Sequence, residues 1–286
     1  MMKSDNVVVS IGFPVYNGEK FLKTRIDSIL NQTFKNFELI ISDNASTDQT
    51  RKICEEYAKQ DSRIQYIRQK KNMGSGFNFH FVLDNAKEKY FVWAAVDDLW
   101  EPTFLSKNIE ILESNLNIVG SISKVDFFGK YADRYNPKPG DKIEHRHVLP
   151  FSGNYHDKVR IALLVGDTMI YSIFRTDLLK KSIPSKNNFQ DGMIFMLTIL
   201  KYGDFSVHDE TLMHRGSEGI SSVGRVHMLR AAGASRLDIC LMCVPLINWS
   251  LENLGLKFII SNFDIYLRIF CVGYGRIVLD VIRKLK

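Results

Sequence analysis

The sequence predicts an α/β fold: a mostly parallel sheet flanked by helices, followed by a helical C-terminal extension. Three observations lead there. Apolar, β-branched runs alternate with segments of helical periodicity from residue 7 to residue 98. Most of these runs give way to polar, turn-forming residues. Near residue 223 the alternation stops, and helical patterns continue to Lys286.

Residues 7–13 form the first β-branched run, and Pro14-Val15-Tyr16-Asn17-Gly18 carries turn chemistry. Residues 21–32 place Phe21, Leu22, Ile26, Ile29 and Leu30 at helical spacing. A second strand is expected at 37–42. Ser46-Thr47-Asp48 then caps a helix reaching about Lys59. A short strand at 64–67, a loop at 72–76 and a helix at 77–86 follow. The apolar run 90–96 reads as a buried strand ending in Asp97 and Asp98. This β-α-β-α-β-α-β order implies parallel strands with helices on the faces. The polar segments 14–17, 43–48 and 97–98 should therefore gather at one edge, the carboxyl edge, where such sheets bind ligands.

The middle of the chain is less regular. Residues 136–141 are irregular, 163–174 read as strand or mixed structure, and 192–200 as a helix with Asp191 near its start. A polar cluster runs from His214 to Gly219. Beyond residue 223, Pro245 and the glycines at 273 and 275 divide the pattern into about three helices. The two expected units are thus 1–222 and 223–286.

The chain has 286 residues, 45% hydrophobic and 24% charged, with a net charge of +6. That mild positive bias suits anionic partners. The basic residues are dispersed until the C-terminus and no nucleic-acid motif is present, so nucleic acid is not an expected partner. Of the four cysteines, Cys240 and Cys243 have CxxC spacing. Apolar neighbours and the absence of a second pair favour buried helical thiols in a reducing cytosol. The run at 7–13 is too short for a signal-peptide core, and no uncharged apolar stretch reaches membrane-spanning length. The last helix mixes Phe263, Ile265, Leu267, Ile269 and Phe270 with Arg268, Arg276, Arg283, Lys284 and Lys286. Two readings stand for it: peripheral contact with an anionic membrane surface, or packing against protein, including a second copy.

Adjacent carboxylates at a strand end repel one another unless a cation or strong donor intervenes. Asp97 and Asp98, with Asp43 ending the second run, point to a metal-assisted site for a phosphorylated ligand.

Pro14-Val15-Tyr16-Asn17, Ser28-Ile29-Leu30-Asn31-Gln32-Thr33, Ser42-Asp43-Asn44-Ala45-Ser46-Thr47-Asp48, Asn72-Met73-Gly74 and the Asp97–Asp98 pair occur in this order. The ordered set resembles the glycosyltransferases of family 2. The resemblance implies the Rossmann-like GT-A fold over 1–222. It also implies transfer of a sugar, with inversion, from a nucleotide-diphosphate donor to an acceptor hydroxyl. The acceptor it suggests is a surface polysaccharide, lipopolysaccharide or lipid-linked saccharide. By the same resemblance Asp43 accepts a hydrogen bond from the base, and Pro14 and Tyr16 flank it. Asn17 and Asn72 belong to the substrate-binding loops, and Asp97 faces the ribose or metal. Asp98 holds Mg²⁺ or Mn²⁺ against the diphosphate, and Asp191 is the catalytic base. Arg215 is a diphosphate contact or a surface cation. A cytoplasmic protein, at most peripheral at the inner face of the cell membrane, fits this picture.

The chain departs from the family pattern at three places. Ala95 stands where another acid is frequent, Gln190 precedes Asp191 where an acid is common, and Arg215 is followed by Gly216-Ser217 rather than by His. Ala95 and Gln190 favour a non-catalytic assembly subunit as the alternative. A nucleotidyltransferase would need a Gly-rich basic loop after the first strand, which Pro14-Val15-Tyr16-Asn17 does not supply. For Asp48 a helix cap is the simpler reading, for Trp93 the core, and for Trp100 either packing or an acceptor pocket.

Overall fold

The structure, a computed structural model, describes residues 8–130, 132–134, 148–165, 168–183, 191–217, 225–231 and 234–285. Its centre is an eight-stranded mixed sheet. The first half supplies β1 (Val9–Val15), β2 (Phe37–Asp43), β3 (Ile64–Arg68) and β4 (Tyr90–Trp93), separated by α1 (Glu19–Leu30), α2 (Thr50–Gln60) and α3 (Ser75–Asn85). The β1–β2, β2–β3 and β1–β4 pairings are all parallel, so these four strands share one carboxyl edge.

β1 is buried along its whole length, as expected of a central strand read as a continuous apolar run. Pro14 is tolerated inside it because β1 leaves β4 after Gly12, which pairs with Trp93. Pro14 keeps only a β2 neighbour, Ser42. Gly12 itself is required by packing: a Cβ there would lie 2.7 Å from both Phe91 Cζ and Val82 Cγ2.

The apolar run at 90–96 is not all strand. β4 ends at Trp93, and Ala94, Ala95 and Val96 carry the chain into a turn before the acidic pair. The last link to β1 is Ala94 N–H donating to the Gly12 carbonyl at 2.9 Å. Past that point β1 no longer runs alongside, and Asp98 N–H closes a turn onto the Ala95 carbonyl at 3.2 Å. Trp93 is core, as expected, edge-on to Phe91 at 4.8 Å.

The second half adds β5 (Leu99–Trp100), α4 (Phe104–Ser114), β6 (Ile118–Phe128), α5 (Tyr155–Val165), β7 (Ile173–Arg175), α6 (Thr176–Ser182), α7 (Asp191–Ile199) and β8 (Asp204–Gly216). The strand order is β3-β2-β1-β4-β7-β6-β8-β5. The structure gives the less regular middle of the chain its elements. Residues 163–174 contain the end of α5, a 3₁₀ turn at Thr168–Tyr171 and the start of β7. The polar stretch from His214 is the end of the long strand β8, parallel to β6 and antiparallel to β5. Its polar end lies at the site, while Phe205, Leu212 and Met213 of the same strand belong to the core. Trp100 packs against Phe104, 4.7 Å between ring centroids, and is buried.

The extension contains α8 (Arg225–Ala231), α9 (Arg236–Cys240), α10 (Val244–Ser261) and α11 (Phe263–Leu285). The glycines at 273 and 275 do not break α11. Gly273 instead lets Met242 approach, and a Cβ there would lie 2.1 Å from the Met242 methyl carbon. The break falls at Gly255, whose φ of 79° and ψ of 165° kink α10. Pro245 lies in the first turn of α10, where its missing N–H costs nothing. Cys243 is buried but Cys240 is exposed, because α9 ends between them. Leu246, Phe258, Ile265 and Tyr266 join the main core, and Trp249 Nε1 donates to Thr198 Oγ1 of α7 at 3.1 Å. Leu229, Ile239, Met242 and Cys243 form a separate small cluster. Among the described residues no helix is long and apolar enough to cross a membrane. The expected unit boundary at 222, the irregular stretch 136–141 and Gln190 all lie outside the described residues.

Candidate active site

The loops that leave β1, β2 and β3 are laced together by side chains. Asn17, at a positive φ of 50°, receives Thr47 N–H on its Oδ1 at 2.8 Å and donates its own N–H to Ser46 Oγ at 2.9 Å. Asn44 donates through Nδ2 to Asn72 Oδ1 and to the Gly74 carbonyl, both at 3.0 Å, and accepts Met73 N–H at 2.9 Å. Asp48 ties together the starts of two helices whose N-cap positions are held by Gly18 and Gln49. Its Oδ1 accepts Thr50 N–H at 3.0 Å at the start of α2, and its Oδ2 accepts Glu19 N–H at 3.1 Å at the start of α1. The expected gathering of strand-end loops is therefore a bonded framework.

Asp43 is enclosed by this framework, with no solvent exposure. Its Oδ1 accepts Ser46 N–H at 2.8 Å; its Oδ2 accepts Tyr66 Oη at 2.8 Å and Arg68 Nη1 at 2.7 Å. Three of roughly four acceptor positions of a carboxylate are thus taken. Arg68 is placed for this by register, since it pairs with Asp43 across β2 and β3. Burial, then the bond to Asp43, raises the Tyr66 pKa. Tyr16 and Asn17 are exposed at the rim, whereas Pro14 is buried beneath them.

Asp97 and Asp98 lie on the other side of β1. Gly18 joins the two sides: a Cβ there would come within 2.8 Å of Val15 Cγ2 and Val96 Cγ2. Three elements grip the acidic turn. From α1, Arg25 Nη2 donates to the Asp97 carbonyl at 3.2 Å. From β8, Gly216 N–H donates to Asp98 Oδ1 at 3.3 Å, and Arg215 Nε approaches Asp98 Oδ2 at 3.6 Å. Gly216 must be glycine, because a Cβ would fall 2.4 Å from the Asp97 carbonyl oxygen.

Asp98 is buried, and its Oδ2 receives no hydrogen bond among the described residues. Burial drives its pKa upward and Asp97 adds to the shift, while Arg215 and, more weakly, Arg25 oppose it. Asp97 is raised by burial as well, against the pull of Arg215 and Arg25. A buried carboxylate oxygen without a donor suits a hard divalent cation that takes its remaining ligands from phosphate and water. The residues present fit such an ion with Asp98 as its protein ligand. No cluster of three or more His, Cys, Asp or Glu able to hold a metal occurs among the described residues.

Asp191 is the first residue of α7; its side chain lies outside the described residues. His214, beside Arg215 on β8, bridges strands instead. Its Nδ1 lies 2.5 Å from Asp126 Oδ1 and its Nε2 2.9 Å from Glu101 Oε1. Burial works to lower its pKa, but the bonds to Glu101 and Asp126 prevail and hold it above the ordinary value.

Sequence reading missed Arg25, Tyr66, Arg68 and Gly216. Arg25 carried a visible signal: it is a charge three residues after Leu22 on the stripe Leu22, Ile26 and Ile29, all of which are buried. Gly216 carried none, since its role depends on β8 meeting the 97–98 turn.

Parallel strands, bonded loops at their carboxyl edge and a buried acidic turn define an α/β protein with a candidate ligand site at the edge of its sheet. The model of the family "Glycosyl transferase family 2" matches residues 10–181, more than half of the chain. The chain belongs to that family. It is 32% identical over 196 residues to the putative teichuronic acid biosynthesis glycosyltransferase TuaG of Bacillus subtilis, covering 68% of this chain and 73% of TuaG. It is 29% identical to the uncharacterized glycosyltransferase MJ1057 of Methanocaldococcus jannaschii, covering 58% of each. A 35% identical Rickettsia bellii glycosyltransferase is matched over 55% of this chain, but the chain spans only 21% of that protein's length. In fold it is similar to S. aureus TarS 1–349, with a TM-score of 0.57 at 21% identity over 74% of this chain and 60% of that one. It is also similar to the mannosyltransferase PcManGT of Pyrobaculum calidifontis, solved with GDP-Man and Mn²⁺. There the TM-score is 0.55 at 14% identity, over 98% and 80% of the two chains. These likenesses establish the GT-A fold.

Proposed function

We propose that the protein is an inverting glycosyltransferase that moves a sugar from a nucleotide-diphosphate donor to an acceptor hydroxyl in cell-surface polysaccharide or lipopolysaccharide biosynthesis. The observation that carries this reading is the buried, donor-less Oδ2 of Asp98 at the edge where the loops after β1, β2 and β3 are bonded together. TarS has been solved with UDP-GlcNAc and PcManGT with GDP-Man and Mn²⁺, and TuaG is named for teichuronic acid biosynthesis. All three support the substrate class.

The residues divide the work. Pro14, Tyr16, Asn17, Asp43 and Asn72 form the nucleotide side. Asp43 is held rigid by Tyr66 and Arg68, so the base meets a preformed wall. Asp97 faces the ribose or the metal, and Arg215, beside Asp98, contacts the diphosphate. Asp98 would hold Mg²⁺ or Mn²⁺, which when bound supplies Lewis-acid stabilisation of the leaving diphosphate. Asp191, opening α7, takes the proton of the attacking hydroxyl. General-base help of this kind is worth ~10²–10⁴-fold. A single displacement at the anomeric carbon needs no second carboxylate there.

Residues 1–222 carry this chemistry and 223–286 form a helical extension. Exposed Leu256, Ile260, Phe263, Leu267 and Phe270 lie beside exposed Lys257 and Arg268. That surface suits peripheral contact with the anionic inner face of the cell membrane, where a cytoplasmic enzyme meets a lipid-linked acceptor. Co-sedimentation with anionic vesicles checks it. Self-association without vesicle binding would assign the surface to a second copy.

A thermal-shift panel of UDP-, GDP- and dTDP-sugars with and without Mn²⁺ tests the main reading. One donor should raise the melting temperature by mass action. A chain that neither binds nor hydrolyses any of them is not a glycosyltransferase of this kind.

A further inference from the structure

Arg25 stands out among the buried groups. It is 4% exposed and lies on the apolar face of α1 beside Leu22, Ile26 and Ile29. A guanidinium in such a place is costly unless charge or hydrogen bonds compensate it. Its hydrogen bonding is sparse: Nη2 reaches the Asp97 carbonyl at 3.2 Å, and Nε finds no acceptor among the described residues. Its guanidinium carbon lies 5.4 Å from the centroid of the Phe21 ring and 5.2 Å from that of Phe128. No carboxylate forms an ion pair with it among the described residues. The charges that act on it through space are those of Asp97 and Asp98.

We propose that Arg25 is a built-in counter-charge to the Asp97–Asp98 pair, so that a divalent cation enters the site together with the donor diphosphate rather than alone. The proposal rests on the transferase reading of this site. With Arg215 beside Asp98 and Arg25 on the backbone of the acidic turn, two guanidinium charges act on two carboxylate charges, and these four groups sum to no net formal charge. A lone divalent ion then gains little attraction and is repelled by the buried cation of Arg25. A nucleoside diphosphate brings the missing negative charge and supplies oxygen ligands that Ala95 does not. Arg25 is a positioning residue: it touches the turn that bears Asp98 and acts on the ion through it.

The test is Mn²⁺ binding to the full chain, followed by electron paramagnetic resonance at low ionic strength without nucleotide. R25M keeps the side chain's bulk between the two rings and removes its charge; R25K keeps a charge. R25M should bind Mn²⁺ alone about 10-fold more tightly than the wild type, and R25K should stay close to the wild type. A purely structural role predicts no gain in affinity, so unchanged or weaker binding by folded R25M overturns the proposal. R25Q replaces R25M should the latter misfold. In the wild type, UDP, GDP or dTDP should tighten Mn²⁺ binding at least about 10-fold. Binding of Mn²⁺ alone as tightly as in the presence of a diphosphate that itself binds also overturns it. If R25M shows no gain while a nucleotide still stabilises the protein, only the assignment of Arg25 falls. If no nucleotide binds, the transferase reading falls.

Discussion

Asp43 and Asp98 are both buried carboxylates at the carboxyl edge of the sheet, yet their surroundings differ. Asp43 accepts three hydrogen bonds of 2.7–2.8 Å, one of them from Arg68. Among the described residues Asp98 has one hydrogen bond at 3.3 Å and a guanidinium nitrogen at 3.6 Å. A saturated carboxylate stabilises the fold and fixes a wall. An undersupplied one costs stability and is kept for a ligand. Burial alone therefore does not separate a carboxylate fixed as part of a wall from one left with a free acceptor oxygen; the count of its donors does.

The comparison can be broken most directly at Asp98. D98N should lower sugar transfer by about 10³-fold, because the proposed ligand of the divalent cation would be lost. Chemical denaturation should show a smaller stability loss than at Asp43, since Asp98 accepts fewer and longer hydrogen bonds. D43N should cost more stability. The substitution puts an amide nitrogen where donors now point, and urea denaturation should show a loss of about 2–4 kcal/mol. Equal stability effects at the two positions would erase the distinction drawn here.

Gly216 sharpens it. G216A forces a methyl group against the Asp97 carbonyl oxygen, at 2.4 Å without relaxation. Overpacking of this kind costs about 1–3 kcal/mol. Because the displaced atoms belong to the acidic turn, Mn²⁺-dependent nucleotide binding should weaken more than calorimetric stability suggests.

The smallest effect is expected at His214. Its folded-state pKa lies above the ordinary value because of Glu101 and Asp126. The stability it contributes is complete below the unfolded-state pKa and is lost as pH rises through the raised folded value. The stability advantage of wild type over H214Q should therefore be larger at pH 6 than at pH 9, as read by denaturation at each pH.

Much of this was legible in the residues. The first four strands and three helices follow from local periodicity, and the motif order through Asp98 marks the family. Asp48 announced itself as a residue of a helix start and Trp93 as core. Other features were not legible because they depend on contacts between distant segments. The strand at 90–96 stops early because β1 turns away. The end of β8 shows only as a polar cluster because His214 and Arg215 pair with groups from other segments, Glu101, Asp126 and Asp98, that the local pattern does not reveal. Gly255, not the glycines at 273 and 275, interrupts the last helices, because Gly273 is needed for close approach to Met242.

The sequence by itself determined the alternation of strands and helices, the carboxyl-edge gathering of polar loops and the identity of the acidic pair. Each of these is encoded within a few consecutive residues. Only the tertiary structure decided that Asp43 is satisfied, that Asp98 is not, and that Arg25 lies behind the pair. Those outcomes depend on which donors from remote strands and helices reach a given oxygen, and packing sets that distance.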